Sequence, residues 1–275
     1  MDILVRSGAT VQGGDVAGFI HGLHARDLPA EVAALGRACL LDLVGVAAAG
    51  RATRLSAIAH DFAAQQLGSN AGGARLLFDG RRAGAAGVAF AGAATIDSFD
   101  SHDGHPLTKG HSGVAVLPAL LAFADADAPA CDSAELLATL VMGYEIAIRA
   151  GIALHRTACD YHTSGAWNAL ACAAVGARLL KLSHAMTREA LGIAEYHGPR
   201  SQMMRCIDHP TMVKDGSAWG ALSGVAAAYL ARGGFTGAPA ITVDAPEVAD
   251  LWGDLGTRWR ITEQYFKPQP VCRWA

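Results

Sequence analysis

The sequence predicts an all-α fold that ends in a short, β-containing tail, and three observations predict it. Apolar positions recur near a 3.6-residue period through most of the chain. Those stretches are dominated by alanine, a strong helix former whose small side chain lets helices pack closely. After Gly237 the texture changes to short segments of β character. This divides the 275 residues into a helical domain over 1–237 and the start of a smaller α+β region over 238–275.

Pro29 to Gly50 reads as the first long helix, with Val32, Leu35, Cys39, Leu40, Leu43 and Val46 along one face and proline at an opening position. A second covers Arg54 to Leu67, broken by the glycine-rich stretch Gly68 to Gly73. Ala74 to Phe78 is a candidate strand. Small-residue helices follow over Arg82 to Phe99, Val114 to Asp125, Ser133 to Leu154, Ser164 to Leu182, Met186 to Tyr196 and Ser217 to Arg232. Asp132 or Ser133 can cap the third of these, and Gly233-Gly234 closes the last. In the tail, Ala240 to Val243 and Trp259 to Phe266 have β character around a short helix over Pro246 to Trp252.

Bulk properties exclude several classes. Hydrophobic residues make up 52% and charged residues 17%. The most apolar runs, such as Val114 to Ala124, stop well short of the roughly 20 residues a bilayer requires, so no membrane association is expected. The excess small-apolar surface is read as buried helix and subunit interface, which makes a homodimer the expected state. A net charge of -3 without any Lys/Arg-rich run offers no field for nucleic acid. The six cysteines lack any CxxC spacing, and the start lacks a basic region followed by an apolar one; the cytoplasm is the expected compartment.

Chemistry concentrates in Ile96 to Gly113, where Asp97, Asp100, His102, Asp103, His105, Lys109 and His111 lie within fifteen residues between two apolar helices. Imidazoles oriented by carboxylates suit proton transfer near neutral pH. A hydrated loop with capping aspartates is the plainer reading. His102, Asp103 and His105 could offer metal ligands, but the pair His102-x-x-His105 lacks a convincing third and fourth ligand at a standard spacing, and no metal is expected. In a second cluster, Tyr161 and His162 precede a Ser/Thr-Gly helix start, beside free N–H groups that favour an anion, or where Thr163 or Ser164 only caps. The third cluster, Arg200, Arg205, Asp208, His209 and Lys214, would suit a substrate with several carboxylates, or be salt-bridged surface. Tyr144 lies within an apolar helix, and Lys267 follows a candidate strand.

Taken in order, IDSFDSHDGHPLTKGHSGVAVLPALLAFAD, GYEIAIRAGIALH, YHTSGAWNALACAAVGARLLKL, EALGIA, VKDGSAWGALSGVAAAYLARGGFTG and YFKPQPVCR resemble the MmgE/PrpD family. That family includes 2-methylcitrate dehydratase, cis-aconitate decarboxylase and iminodisuccinate epimerase. The resemblance implies a large helical domain that dimerises, a smaller α+β lid that is missing here, and a lyase or isomerase working on a small polycarboxylic acid without metal or organic cofactor. Asp100, His111, His162 and Lys267 match residues of the family's blocks. Ser101 stands where a second adjacent carboxylate is expected, and Thr211 and Lys214 occupy the usual lysine and histidine places.

The expected catalytic set is therefore Asp100, His111, His162, Lys214 and Lys267, with Lys109, Tyr144, Arg200 and His102 toward substrate. All five catalytic residues are expected to converge on one pocket. The rival expectation is a catalytically incomplete helical scaffold that dimerises or pairs with a separately encoded lid chain.

Overall fold

The computed structural model describes residues 15–68 and 73–266. Lys267 and the rest of the YFKPQPVCR block beyond Phe266 lie outside the described residues. The helices are α1 (Val16–Gly22), α2 (Ala30–Gly50), α3 (Arg54–Gln66), α4 (Ala85–Phe99), α5 (Gly113–Ala126), α6 (Ser133–Thr157), α7 (Gly165–Leu179), α8 (His184–His197), α9 (Met203–Asp208), α10 (Ser217–Arg232), α11 (Ile241–Asp244) and α12 (Ala249–Gly253). Two short strands, β1 (Ala74–Arg75) and β2 (Arg82–Ala83), pair antiparallel with Ala74 opposite Ala83.

Every residue of α7 is buried, which makes it the axis of the bundle. Around it pack α5, α6, α8 and α10, with α4 against both α5 and α10, α3 against α4, and α2 against α4, α5 and α6. Local signals set the helix starts: the Asp132 carboxylate accepts from Glu135 N–H at 2.8 Å, Thr53 accepts from Ser56 N–H at 3.1 Å, and Ser183 accepts from Met186 N–H at 3.2 Å. Each satisfies a donor that the first helical turn leaves unpaired.

Two helices, α2 and α6, are long and apolar enough by length and composition to cross a bilayer. α6 is instead a core helix, 83% buried over its most apolar window. The corresponding window of α2 is 33% buried, and Leu41 and Val44 stand exposed on its outer face.

The tail departs from the expected β character. Ile241–Asp244 is a helical turn rather than a strand, because Glu195 of α8 accepts from Ile241 N–H and Thr242 N–H, both at 2.9 Å. Arg260–Glu263 forms a 3-10 turn, and its Ile261 N–H is held by the buried Glu145 of α6 at 2.8 Å. Strand pairing survives at Tyr265, which exchanges two backbone hydrogen bonds with Gly104, at 2.8 and 2.9 Å. Val248, Leu251, Trp252, Leu255, Trp259 and Ile261 join the main core. Arg149 of α6, fully buried, binds Glu145, Asp254 and the carbonyls of Leu251 and Arg258, tying the tail to the bundle.

Candidate active site

α4 ends at Asp100, whose φ of 49° is left-handed, a conformation that aspartate tolerates better than most residues. The chain then turns back through residues 101–112 before α5 begins, and this loop is buried over most of its length. Its tip is anchored to the tail by the Gly104–Tyr265 pairing, and Asp103 N–H donates to the Asp42 carboxylate of α2 at 3.2 Å. Of the five non-glycine residues with positive φ among the described residues, three are Asp100, Lys109 and Lys214, so backbone strain concentrates where the sequence placed the chemistry.

The orientation of His111 follows from its hydrogen bonds. Its Nδ1 lies 2.6 Å from the Asp103 carbonyl oxygen, which can only accept, so the neutral ring carries its proton on Nδ1 and its lone pair on Nε2. Nε2 lies 3.8 Å from Asp215 Oδ2 and 4.0 Å from Asp100 Oδ1. The backbone is pinned on both sides: His111 N–H donates to Ser164 Oγ at 3.1 Å, and Asn168 Nδ2 donates to the His111 carbonyl at 2.8 Å. Ser164 in turn donates to Asp215 Oδ2 at 2.8 Å.

That relay requires the N-terminal ends of α7 and α10 to approach closely. A Cβ on Gly165 would meet the Gly216 carbonyl at 2.2 Å, and one on Gly220 would meet the Gly165 carbonyl at 2.4 Å. Only glycine allows that approach.

The remaining members complete an ionisable cluster. His102 is fully buried, its ring edge-on to His111 at 4.3 Å between centroids and its Nε2 3.7 Å from Asp97 Oδ1. Lys214 Nζ lies 3.6 Å from Asp100 Oδ2. Burial pushes the Asp97 carboxyl up to about 6, partly offset by His111 and Lys214. Asp215 is also raised, by burial and by the Asp97 charge. An imidazole lone pair, the carboxyl groups of Asp97, Asp100 and Asp215 and one ammonium thus converge from the end of α4, the following loop and the turn before α10.

Other expected residues lie elsewhere. His162 is buried with its Nδ1 2.9 Å from the Asp160 carbonyl, paired in backbone with Gln202 and near His155, rather than against Asp100. The expected single convergence is thus seen for Asp100, His111 and Lys214, with His102 added from the substrate-binding group. Lys109 is exposed, its Nζ 5.7 Å from the Tyr161 ring. Arg200 lines a cavity of about 880 Å³ with Arg205, His209 and Lys214. The substrate-binding expectation for Tyr144 is corrected: it is fully buried beneath the loop, beside Asp103 and Cys39, and Gly113 packs directly on its hydroxyl.

His102, Asp103 and His105 do not gather either. His105 accepts from Leu107 N–H and faces Glu263 at 3.4 Å, and burial pushes it down to about 4. Among the described residues no group of three or more His, Cys, Asp or Glu side chains is placed to hold a metal ion.

Sequence reasoning missed Asp215 and Ser164 as site members and left Asp97 unassigned. The available signal was the Lys214-Asp215-Gly216 turn, where a carboxylate precedes a glycine immediately before a helix.

Residues 14–251 match the family described as the MmgE/PrpD N-terminal domain. The chain is also 28% identical over 175 residues to a cis-aconitate decarboxylase-like protein, oryM, of Aspergillus oryzae, across 57% of this chain and 34% of that protein. The chain thus spans about a third of the curated relative it matches.

Proposed function

Because the chain belongs to the MmgE/PrpD family, we propose that it is a lyase or isomerase that removes a proton next to a carboxylate of a small polycarboxylic acid. The observation that carries this reading is His111, fixed through Nδ1 so that its Nε2 lone pair faces the space shared by Asp100, Asp215 and Lys214.

His111 takes the proton, and the carboxylates beside Nε2 favour the imidazolium that results. The carbon acid is weak, so the developing enolate-like charge needs a cation, which Lys214 supplies. Asp97, protonated in part near neutrality, can return a proton to a departing hydroxyl or to carbon. Arg200 and Arg205, which line the 880 Å³ cavity with Lys214, suit the remaining carboxylates. His162 and Lys267 enter as a further acid/base group and a further carboxylate ligand on the strength of the family resemblance. The name of the Aspergillus relative keeps decarboxylation beside dehydration and epimerisation, which share the early charge development at carbon.

Proton abstraction is tested without choosing among them. The chain is incubated in D₂O with citrate, 2-methylcitrate or cis-aconitate, and NMR follows both product formation and deuterium uptake at carbon. Wild type is expected to show one or both; His111→Gln should slow them by roughly 10²–10⁴-fold. Equal rates in the two proteins would sink the assignment of His111.

A homodimer formed through the exposed apolar face of α2, at Leu41 and Val44, is proposed as the state in which it works.

A further inference from the structure

Lys214 borders two cavities of different lining. The larger, already described, carries Arg200, Arg205 and His209 with Asp160 and several polar groups, beside Val213 and Trp219. The smaller, about 500 Å³, is walled by Leu55, Phe90, Ala94, Met212, Ala218 and Trp219, with Asp97 and Lys214 as its charged groups. The segment that delivers Lys214 lines both, through Thr211, Val213, Gly216 and Trp219. Phe90 and Trp219 meet edge to face at 5.3 Å, and Phe62 extends the aromatic wall at 5.5 Å from Phe90. Trp219 is 53% exposed.

Wetted apolar wall is a standing cost, recovered in proportion to the area that something covers. Here the wall runs directly into the ionisable cluster, since Asp97 faces the cavity and also contacts His102. A ligand held at Lys214 by a carboxylate would therefore present whatever branch it carries to Phe90 and Trp219. A methyl branch is about the size of one water, ~30 Å³, and would leave most of the cavity wet.

We propose that this cavity is a subsite for an alkyl chain, and that the acid this protein acts on carries an apolar branch of several carbons beside its carboxylates. The proposal rests on the polycarboxylate reading and adds the substrate's second half. Carboxylate and chain are recognised separately: Lys214 fixes the charged end, and the α4–α10 aromatic wall measures the branch.

The test is binding of succinate and its 2-methyl, 2-ethyl, 2-butyl and 2-hexyl derivatives to the full chain, by calorimetry. Affinity should rise roughly three- to fourfold per added methylene until the cavity is full. Ala218→Leu, which fills the cavity from α10, should flatten that rise while leaving succinate affinity unchanged, and the retained succinate binding shows that the variant is folded. Lys214→Met should weaken every member alike and keep the ratio per methylene. Affinity independent of chain length in wild type overturns the subsite, whether no member binds or all bind equally, as when a second copy of the chain covers the wall. A rise that persists in Ala218→Leu overturns its location. Unchanged affinities in Lys214→Met would instead remove the carboxylate reading and leave the apolar subsite standing.

Discussion

Asp103 offers the sharpest test of how the site loop is built. Its side chain is fully buried between α2 and α6, beside the Tyr144 hydroxyl, and burial pushes the carboxyl from 3.8 up to about 7. A folded-state value above the unfolded one means that the native protein holds this proton longer than the unfolded chain does. Its contribution is therefore fully present below about pH 4 and is lost as pH rises to about 7. Each unit corresponds to about 1.4 kcal/mol, so the full swing is on the order of 4 kcal/mol, and about 2–3 kcal/mol of it falls between pH 5 and 7.

Asp103→Asn keeps the shape and cannot ionise. Urea unfolding of both proteins from pH 5 to 8 isolates the group, since other titrations cancel in the difference. The variant should gain on wild type by about 1.4 kcal/mol per unit up to pH 7, then hold constant. His111 is held by the Asp103 backbone carbonyl and not by its carboxylate, so deuterium exchange in the variant should stay within a few-fold of wild type. A stability difference that is flat with pH, or that favours wild type as pH rises, would refute the burial argument.

Arg149→Ala should destabilise by about 3–5 kcal/mol in the same assay, because Glu145 is left as an uncompensated buried charge and the tail loses its carbonyl anchor; a cost under about 1 kcal/mol would contradict this. Leu41→Glu should convert the proposed dimer to monomer in sedimentation, with little change in thermal stability of the monomer, since Leu41 is 75% exposed; wild type that sediments as a monomer at micromolar concentration removes the proposed dimer. Activity should survive exhaustive chelation, and loss restored by stoichiometric zinc or iron would overturn the metal-independent reading.

Much of the fold was legible in the sequence because its helices are specified locally. Asp132, sitting three residues before Glu135, caps α6 whatever surrounds it, and the spacing of Val32, Cys39, Leu43 and Val46 fixes the buried face of α2. The segment from Asp97 to His111 was visible as a chemical cluster for the same reason: its members are neighbours in the chain. What lies far apart in sequence was decided by packing. Asp215 has no partner near it in the chain, and only the glycine contact of α7 with α10 brings it to Ser164 and His111. Tyr144 kept its polar identity but lost any access to substrate once Gly113 closed over it. The tail shows the principle most directly. Ile241, Thr242 and Val243 favour a strand by their branching, yet Glu195, some forty-six residues earlier, offers two acceptors to their backbone donors and turns them into a helix. A local propensity of tenths of a kcal/mol yields to two charge-assisted hydrogen bonds, and those exist only once the chain has folded.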